Sequence, residues 1–81
     1  MRVRVRLFAS LRESVGAASL ALDVPEGATL EDVWGALVAD RPALAARRAG
    51  LSAALDHRLA TFATVVPAES EVAFLPPVSG G

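Results

Sequence analysis

Apolar and polar residues alternate over residues 2–8. Val3, Val5 and Leu7 fall on one side, and Arg2, Arg4 and Arg6 on the other. A period of two predicts a half-buried strand. Phe8 falls in the arginine series, so it is expected at the strand end on the solvent face. Over residues 9–16 the spacing changes. Leu11 and Val15 stand at i and i+4, which suits a short helical turn closed by Gly16. Alternation returns over residues 19–24, with Leu20, Leu22 and Val24 on one face of a second strand. Pro25-Glu26-Gly27 reads as a turn.

Thr29 then opens the main helix. It is a good N-cap, and Glu31 and Asp32 put negative charge in the first turn, where the helix dipole favours it. Leu30, Val33, Trp34, Leu37 and Val38 recur at helical spacing and form a core stripe. Trp34 reads as a core anchor rather than a ligand-stacking residue. Arg41-Pro42 ends the helix, because a residue before proline avoids the helical conformation. Residues 43–50 are rich in Ala and Arg and suit a short second helix ending at Gly50. A third strand is expected over residues 51–55, a turn at Asp56-His57-Arg58, and a short strand over residues 59–62. Val65-Val66-Pro67 leads into a turn at Ala68-Glu69-Ser70. The last strand spans residues 71–75, with Val72 and Phe74 facing opposite to Ala73 and Leu75. Pro76-Pro77 stops it.

The predicted order suits a small mixed sheet with one helix packed on one face. Its first and last strands could pair side by side in the middle. At 81 residues the chain makes one domain with a thin core. Its 53% hydrophobic and 21% charged residues argue against disorder. No apolar run approaches a membrane span, and no secretory h-region is visible. A net charge of −1 argues against electrostatic nucleic-acid binding. With no Cys, disulfides, thiolate nucleophiles and Cys-based zinc sites are excluded. The single His57 leaves little scope for a metal site or triad, and reads as an exposed turn imidazole. All eight basic residues are Arg. That reflects either compositional bias or the advantage of lacking an ε-amine beside an activated carboxylate.

The chain closes on Pro76-Pro77-Val78-Ser79-Gly80-Gly81. Glycine has no Cβ, so a diglycine can pass a channel too narrow for side chains. Its carboxylate is sterically open. Chance or an expression scar would also produce such an ending.

Two segments carry a resemblance: Leu7-Phe8-Ala9-x-Leu11-Arg12-Glu13-x-Val15-Gly16, and Glu71-Val72-Ala73-Phe74-Leu75 followed by the Pro-Pro-Val-Ser-Gly-Gly ending. On these the chain resembles the ubiquitin-like β-grasp proteins. More narrowly it is similar to the MoaD-type sulfur carriers, the small subunits of molybdopterin synthase. It departs from that pattern at Asp56, where the family usually has Asn, and at Ala68-Glu69-Ser70, where an acidic Gly-Asp pair is usual. Both lie in turns, so altered turn geometry is expected there.

The resemblance implies an α+β, β-grasp fold over residues 1–76, its mixed sheet packed on one main helix, and a flexible tail over residues 77–81. It implies that the Gly81 carboxylate is adenylated and then converted to a thiocarboxylate, while Gly80 permits close approach to a partner. No bound cofactor is expected; ATP is used by the activating enzyme. The implied partners are the large subunit of molybdopterin synthase, an adenylyltransferase resembling the ubiquitin-activating enzymes, and a sulfur donor protein. Nucleic acid and membrane are not expected partners, and the expected compartment is the cytoplasm. The carrier would have no active site alone. Phe8 and Leu75 share a face by alternation, and the resemblance adds Leu59 to a docking patch. Pro76, Pro77, Val78 and Ser79 would line the path into the partner. The other reading makes Phe8, Leu59 and Leu75 a minor core beneath the loops. Arg12 and Arg58 read equally as a polar rim or as solvated charge. The competing classes are carriers for thiamin or tRNA thiolation, protein-conjugating modifiers, and non-reactive β-grasp binding modules.

Overall fold

The alternation at the start of the chain becomes strand β1, Arg2–Leu7, with its valines and Leu7 buried and its arginines exposed. A computed structural model describes residues 1–77. Helix α1, Ala9–Val15, follows at once and closes at Gly16. There φ is +82°, and the Gly16 amide donates to the Arg12 carbonyl at 2.8 Å. Strand β2, Ser19–Asp23, returns antiparallel to β1, so the chain opens as a β-hairpin with a helical turn in its loop.

Helix α2, Leu30–Asp40, begins with a reciprocal cap. The Thr29 hydroxyl accepts from the Asp32 amide at 3.2 Å, and the Asp32 carboxylate accepts from the Thr29 amide at 2.9 Å. Asp32 thus does the work usually given to Glu or Gln in this motif. The amides of Leu30 and Glu31 donate to the carbonyls of Thr64 and Phe62. The free donors that begin any helix are therefore satisfied by the cap and by the returning loop. Arg41 leaves the helical conformation before Pro42, as expected.

Strands β3, Ser52–Leu55, β4, Arg58–Ala60, and β5, Glu71–Leu75, complete a five-stranded sheet in the order β2-β1-β5-β3-β4. β1 and β5 pair in parallel at its centre. One face of the sheet presents Val3, Val5, Leu7, Val72 and Phe74 to Leu30, Val33, Trp34 and Leu37 of α2. Phe74 is fully buried, and Trp34 meets it edge-to-face with ring centroids 5.1 Å apart. The mixed sheet on a main helix and the central pairing of first and last strands are as expected. Among the described residues, no helix is long and apolar enough to cross a membrane.

Four local expectations need correction. The short second helix expected over residues 43–50 is a 3-10 helix that starts earlier and ends earlier, over Pro42–Arg47, with a turn at Gly50. Leu51 is buried ahead of β3 rather than within it. The hairpin turn is confined to Asp56 and His57, so Arg58 begins β4, which ends at Ala60 and not at Phe62. Both turn residues have positive φ, +48° and +69°, the signature of a two-residue hairpin turn matched to strand twist. Asp tolerates that conformation better than most side chains, which accounts for Asp56 where Asn is usual. Finally, Phe8 lies just beyond β1, as the residue preceding α1, and is half-buried.

Glu69 also has positive φ, +66°, at the turn where the family pattern has glycine. An L side chain is strained there. Glu69→Gly is therefore expected to stabilise the fold by about 0.5–1 kcal/mol, part of the relief being offset by a looser unfolded chain. A urea midpoint that does not rise would show that Glu69 makes compensating contacts.

Candidate functional site: the end of the central strand and the outer sheet face

β5 occupies the middle of the sheet, held by β1 on one side and β3 on the other. The segment that follows it therefore leaves from a strand paired along both edges. Pro76 is half-buried and Pro77 exposed. Pro77 lies against Gly50, whose φ is +75°. Val78, Ser79, Gly80 and Gly81 lie outside the described residues.

Strand register defines the face opposite α2. Arg6 stands beside Ala73, Ala73 beside Ala54, and Ala54 beside Leu59. Phe8 follows Leu7, which pairs with Phe74, so it falls level with Leu75. Phe8, Leu75 and Leu59 are thus on one face, joined by Ala73 and Ala54. Leu59 is 76% exposed, so it is not part of a minor core under the loops. Phe8 and Leu75 are half-buried. Ala73 falls on the side of Leu75 as its alternation predicts, whereas Ala54 was missed because Ser-Ala-Ala-Leu has no clear alternation. Only the register shows that Ala54 faces outward while Ala53 faces the core.

Charge on this face is uneven. Arg2, Arg4 and Arg6 line the β1 side, and Arg2 meets Asp23 at 3.3 Å. The Arg6 guanidinium lies 5.3 Å from the Phe8 ring centroid, close enough for attraction to its π face. Glu71 sits between Arg6, at 3.9 Å, and His57, at 3.6 Å. The Asp56 carboxylate accepts from the Glu71 amide at 2.9 Å, which fixes the hairpin turn to β5. His57 is exposed and is positioned by this turn. Arg58 pairs with Leu55 and so lies on the face of β4 opposite to Leu59. It does not rim the patch. Arg12 is exposed on α1. A cleft lined by Arg2, Arg4, Glu69, Ser70 and Glu71 lies at the start of β5, the end away from Pro77.

Behind the strand end, the turn before β3 is braced. Arg48 donates two hydrogen bonds to the Glu31 carboxylate, at 2.8 and 3.0 Å. These bonds hold the Glu31 carboxyl below its usual range and raise the Arg48 guanidinium above its own. The same guanidinium lies 3.7 Å from the Phe62 ring centroid, and Phe62 stacks on Phe74 with centroids 6.2 Å apart. Neither the Arg48 brace nor the Gly50 contact was anticipated. Both join residues distant in sequence, and the only local signal was a glycine after an Arg pair.

The family model that matches the chain covers residues 5–81 and describes the ThiS family. The chain belongs to the ThiS family. Its fold and likenesses are those of the ubiquitin-like sulfur carriers of the ThiS/MoaD type. It is 35% identical over 81 residues to the molybdopterin synthase sulfur carrier subunit of Arabidopsis thaliana, covering 100% of this chain and 84% of that one. It is 40% identical to the molybdopterin synthase sulfur carrier subunit of Escherichia coli strain K12, covering 98% of this chain and 99% of that one. Among solved structures it superposes on SAMP1 from Haloferax volcanii with a TM-score of 0.88 and 31% identity, each chain covered completely.

Because the Glu31 carboxyl is held low, its contribution to stability is full above its unfolded value, near 4.5, and is lost as pH falls through the lower folded value. Glu31→Gln is expected to lower the urea midpoint near neutral pH. That deficit should shrink in acid, as pH falls through the lowered folded value and wild-type Glu31 itself becomes protonated. An equal deficit at neutral and acid pH would show that charge on Glu31 is not what braces Arg48.

Proposed function

We propose that this chain is the small, sulfur-carrying subunit of a molybdopterin synthase, working in the cytoplasm. The observation that carries the reading is the neighbourhood of β5: the strand that leads into the diglycine segment lies in an outer apolar face of half-buried Phe8 and Leu75 and exposed Leu59. Full-length likeness to two carrier subunits named for molybdopterin synthase supports this branch over other ThiS-family roles.

The chemistry follows from the carboxylate. It is a poor electrophile until one oxygen becomes a leaving group. An adenylyltransferase supplies that by letting a Gly81 oxygen attack the α-phosphorus of ATP, expelling pyrophosphate. A sulfide-equivalent from a donor protein then attacks the acyl carbon. The C–S bond forms as the C–O bond to AMP breaks, leaving a thiocarboxylate. Ionised at neutral pH, its sulfur is the nucleophile that a chain without Cys otherwise lacks. Gly80 lets the backbone approach closely, and Val78 and Ser79 contact the channel. Phe8, Leu59, Leu75, Pro76 and Pro77 dock on the large subunit. Binding energy gathered there fixes the position of the reacting group.

A second reading is favoured by the likeness to SAMP1: ligation of the same carboxylate to amines of other proteins, as a modifier. Carriers for thiamin or tRNA thiolation would share the activated form and differ in the acceptor.

The test is intact-mass measurement after incubation with an adenylating enzyme, ATP and a sulfide source. Exchange of one oxygen for sulfur is expected at the C-terminus. Addition of the large synthase subunit and its pterin substrate should discharge it. Failure to form the thiocarboxylate would refute the carrier reading; formation without discharge, alongside conjugates to other proteins, would favour the modifier reading. Deletion of Gly81 should abolish loading while leaving the fold intact. Leu59→Asp should weaken binding to the large subunit at least about tenfold, with stability changed by no more than about 0.5 kcal/mol. Unaltered binding would remove Leu59 from the docking face.

A further inference from the structure

We propose that Gly50 is a positioning residue for the reactive tail, and that the turn containing it is a built seat for Pro77. A Cβ added to Gly50 would lie 3.3 Å from Pro77 Cγ and 3.4 Å from Pro77 Cβ. Carbon atoms settle at about 3.5–4.0 Å, so a side chain here requires the proline ring to give by a few tenths of an ångström. Gly16 and Gly27 also have positive φ, yet a Cβ on either meets nothing within 4 Å. At those two positions glycine answers only to backbone conformation. At Gly50 it also answers to a neighbour 27 residues further along the chain.

The seat is rigid where it needs to be. Arg48 ties it to Glu31 at the start of α2 and covers Phe62, which stacks on Phe74 of β5. Leu51 follows into the core, and its amide donates to the Arg48 carbonyl at 3.2 Å. The turn is therefore braced against the very strand that Pro77 leaves. Proline adds a fixed φ of its own, so one contact at its ring sets the direction of the next bonds.

The contact matters because it fixes where the reactive segment starts: four residues span at most about 14 Å, so the reach of Gly81 is counted from Pro77. A misplacement of about 1 Å at a reacting centre can cost about 100-fold. The proposal rests on the carrier reading, since only a tail that enters another protein's site needs aiming.

The experiment compares Gly50→Ala, Pro77→Ala and the double variant. Each is assayed for kcat/KM in thiocarboxylate formation by an adenylating enzyme that loads the wild-type chain, and for its urea midpoint. Each single variant should lose at least about threefold in kcat/KM, and the double should lose no more than the worse single, because both remove one contact. Gly50→Ala also strains its backbone, so its midpoint should fall. That fall should persist in the double variant while the loading defect does not add. In the wild type, a nuclear Overhauser contact between the Gly50 α-protons and the Pro77 ring is expected. Additive loading defects, or wild-type kcat/KM in Gly50→Ala, would overturn the proposal. Pro77→Ala alters an exposed ring and keeps the test available should Gly50→Ala fail to fold. If the wild-type chain itself does not load, the carrier reading fails. Absence of the nuclear Overhauser contact would separately refute the seat.

Discussion

The parallel pairing of β1 with β5 is the constraint on which the rest of the structure depends. It joins Arg4 with Glu71 and Leu7 with Phe74, and it lies in the middle of the sheet. Parallel strands are usually buried on both faces. Here α2 covers one face fully, while the other is covered only by its own side chains. The sheet can leave that second face partly apolar because its centre is held by two ladders rather than one. A strand end with partners on both sides is a firm origin for whatever follows it, and the docking face is made from the same strand.

Much of this was legible in the chain. Strict alternation in β1 and the opposed sides of β5 arise from a period that any sheet with one covered face imposes. The cap at Thr29 and the stop at Arg41-Pro42 are local chemistry. What escaped was decided by tertiary approach. Residues 43–50 have helical composition, yet Pro42 and the short span to β3 leave room only for a 3-10 turn. Leu51 has strand propensity, but its burial ahead of the ladder serves the core. Arg58 was read in the turn, as rim or solvated charge alike; as the first residue of β4 it pairs with Leu55 and points away from Leu59.

The candidate site divides in the same way. Phe8 and Leu75 follow from alternation, and Leu59 came from family resemblance. Ala73 follows from the same alternation as Leu75, and Ala54 required the register. Gly50 and Arg48 could not be found from local patterns, since their roles depend on Pro77, Glu31 and Phe62 arriving from elsewhere. The departures at Asp56 and Glu69 both fall at positive φ, which Asp tolerates and Glu adopts under strain. They concern how tightly turns close, and they leave the outer face unchanged.

The central pairing also has a bearing on biosynthesis. The partners in β1 and β5 stand 67 residues apart, from Arg4 to Glu71. Contacts so distant along the chain form late and slow the folding of small domains. A nascent chain that lacks β5 has no middle to its sheet, and Phe74 is missing from beneath Trp34. The domain thus cannot reach its native sheet until the strand adjoining the diglycine segment has been made. Translation itself then imposes an order of events: a folded docking face is on offer only from molecules whose synthesis has already passed through β5.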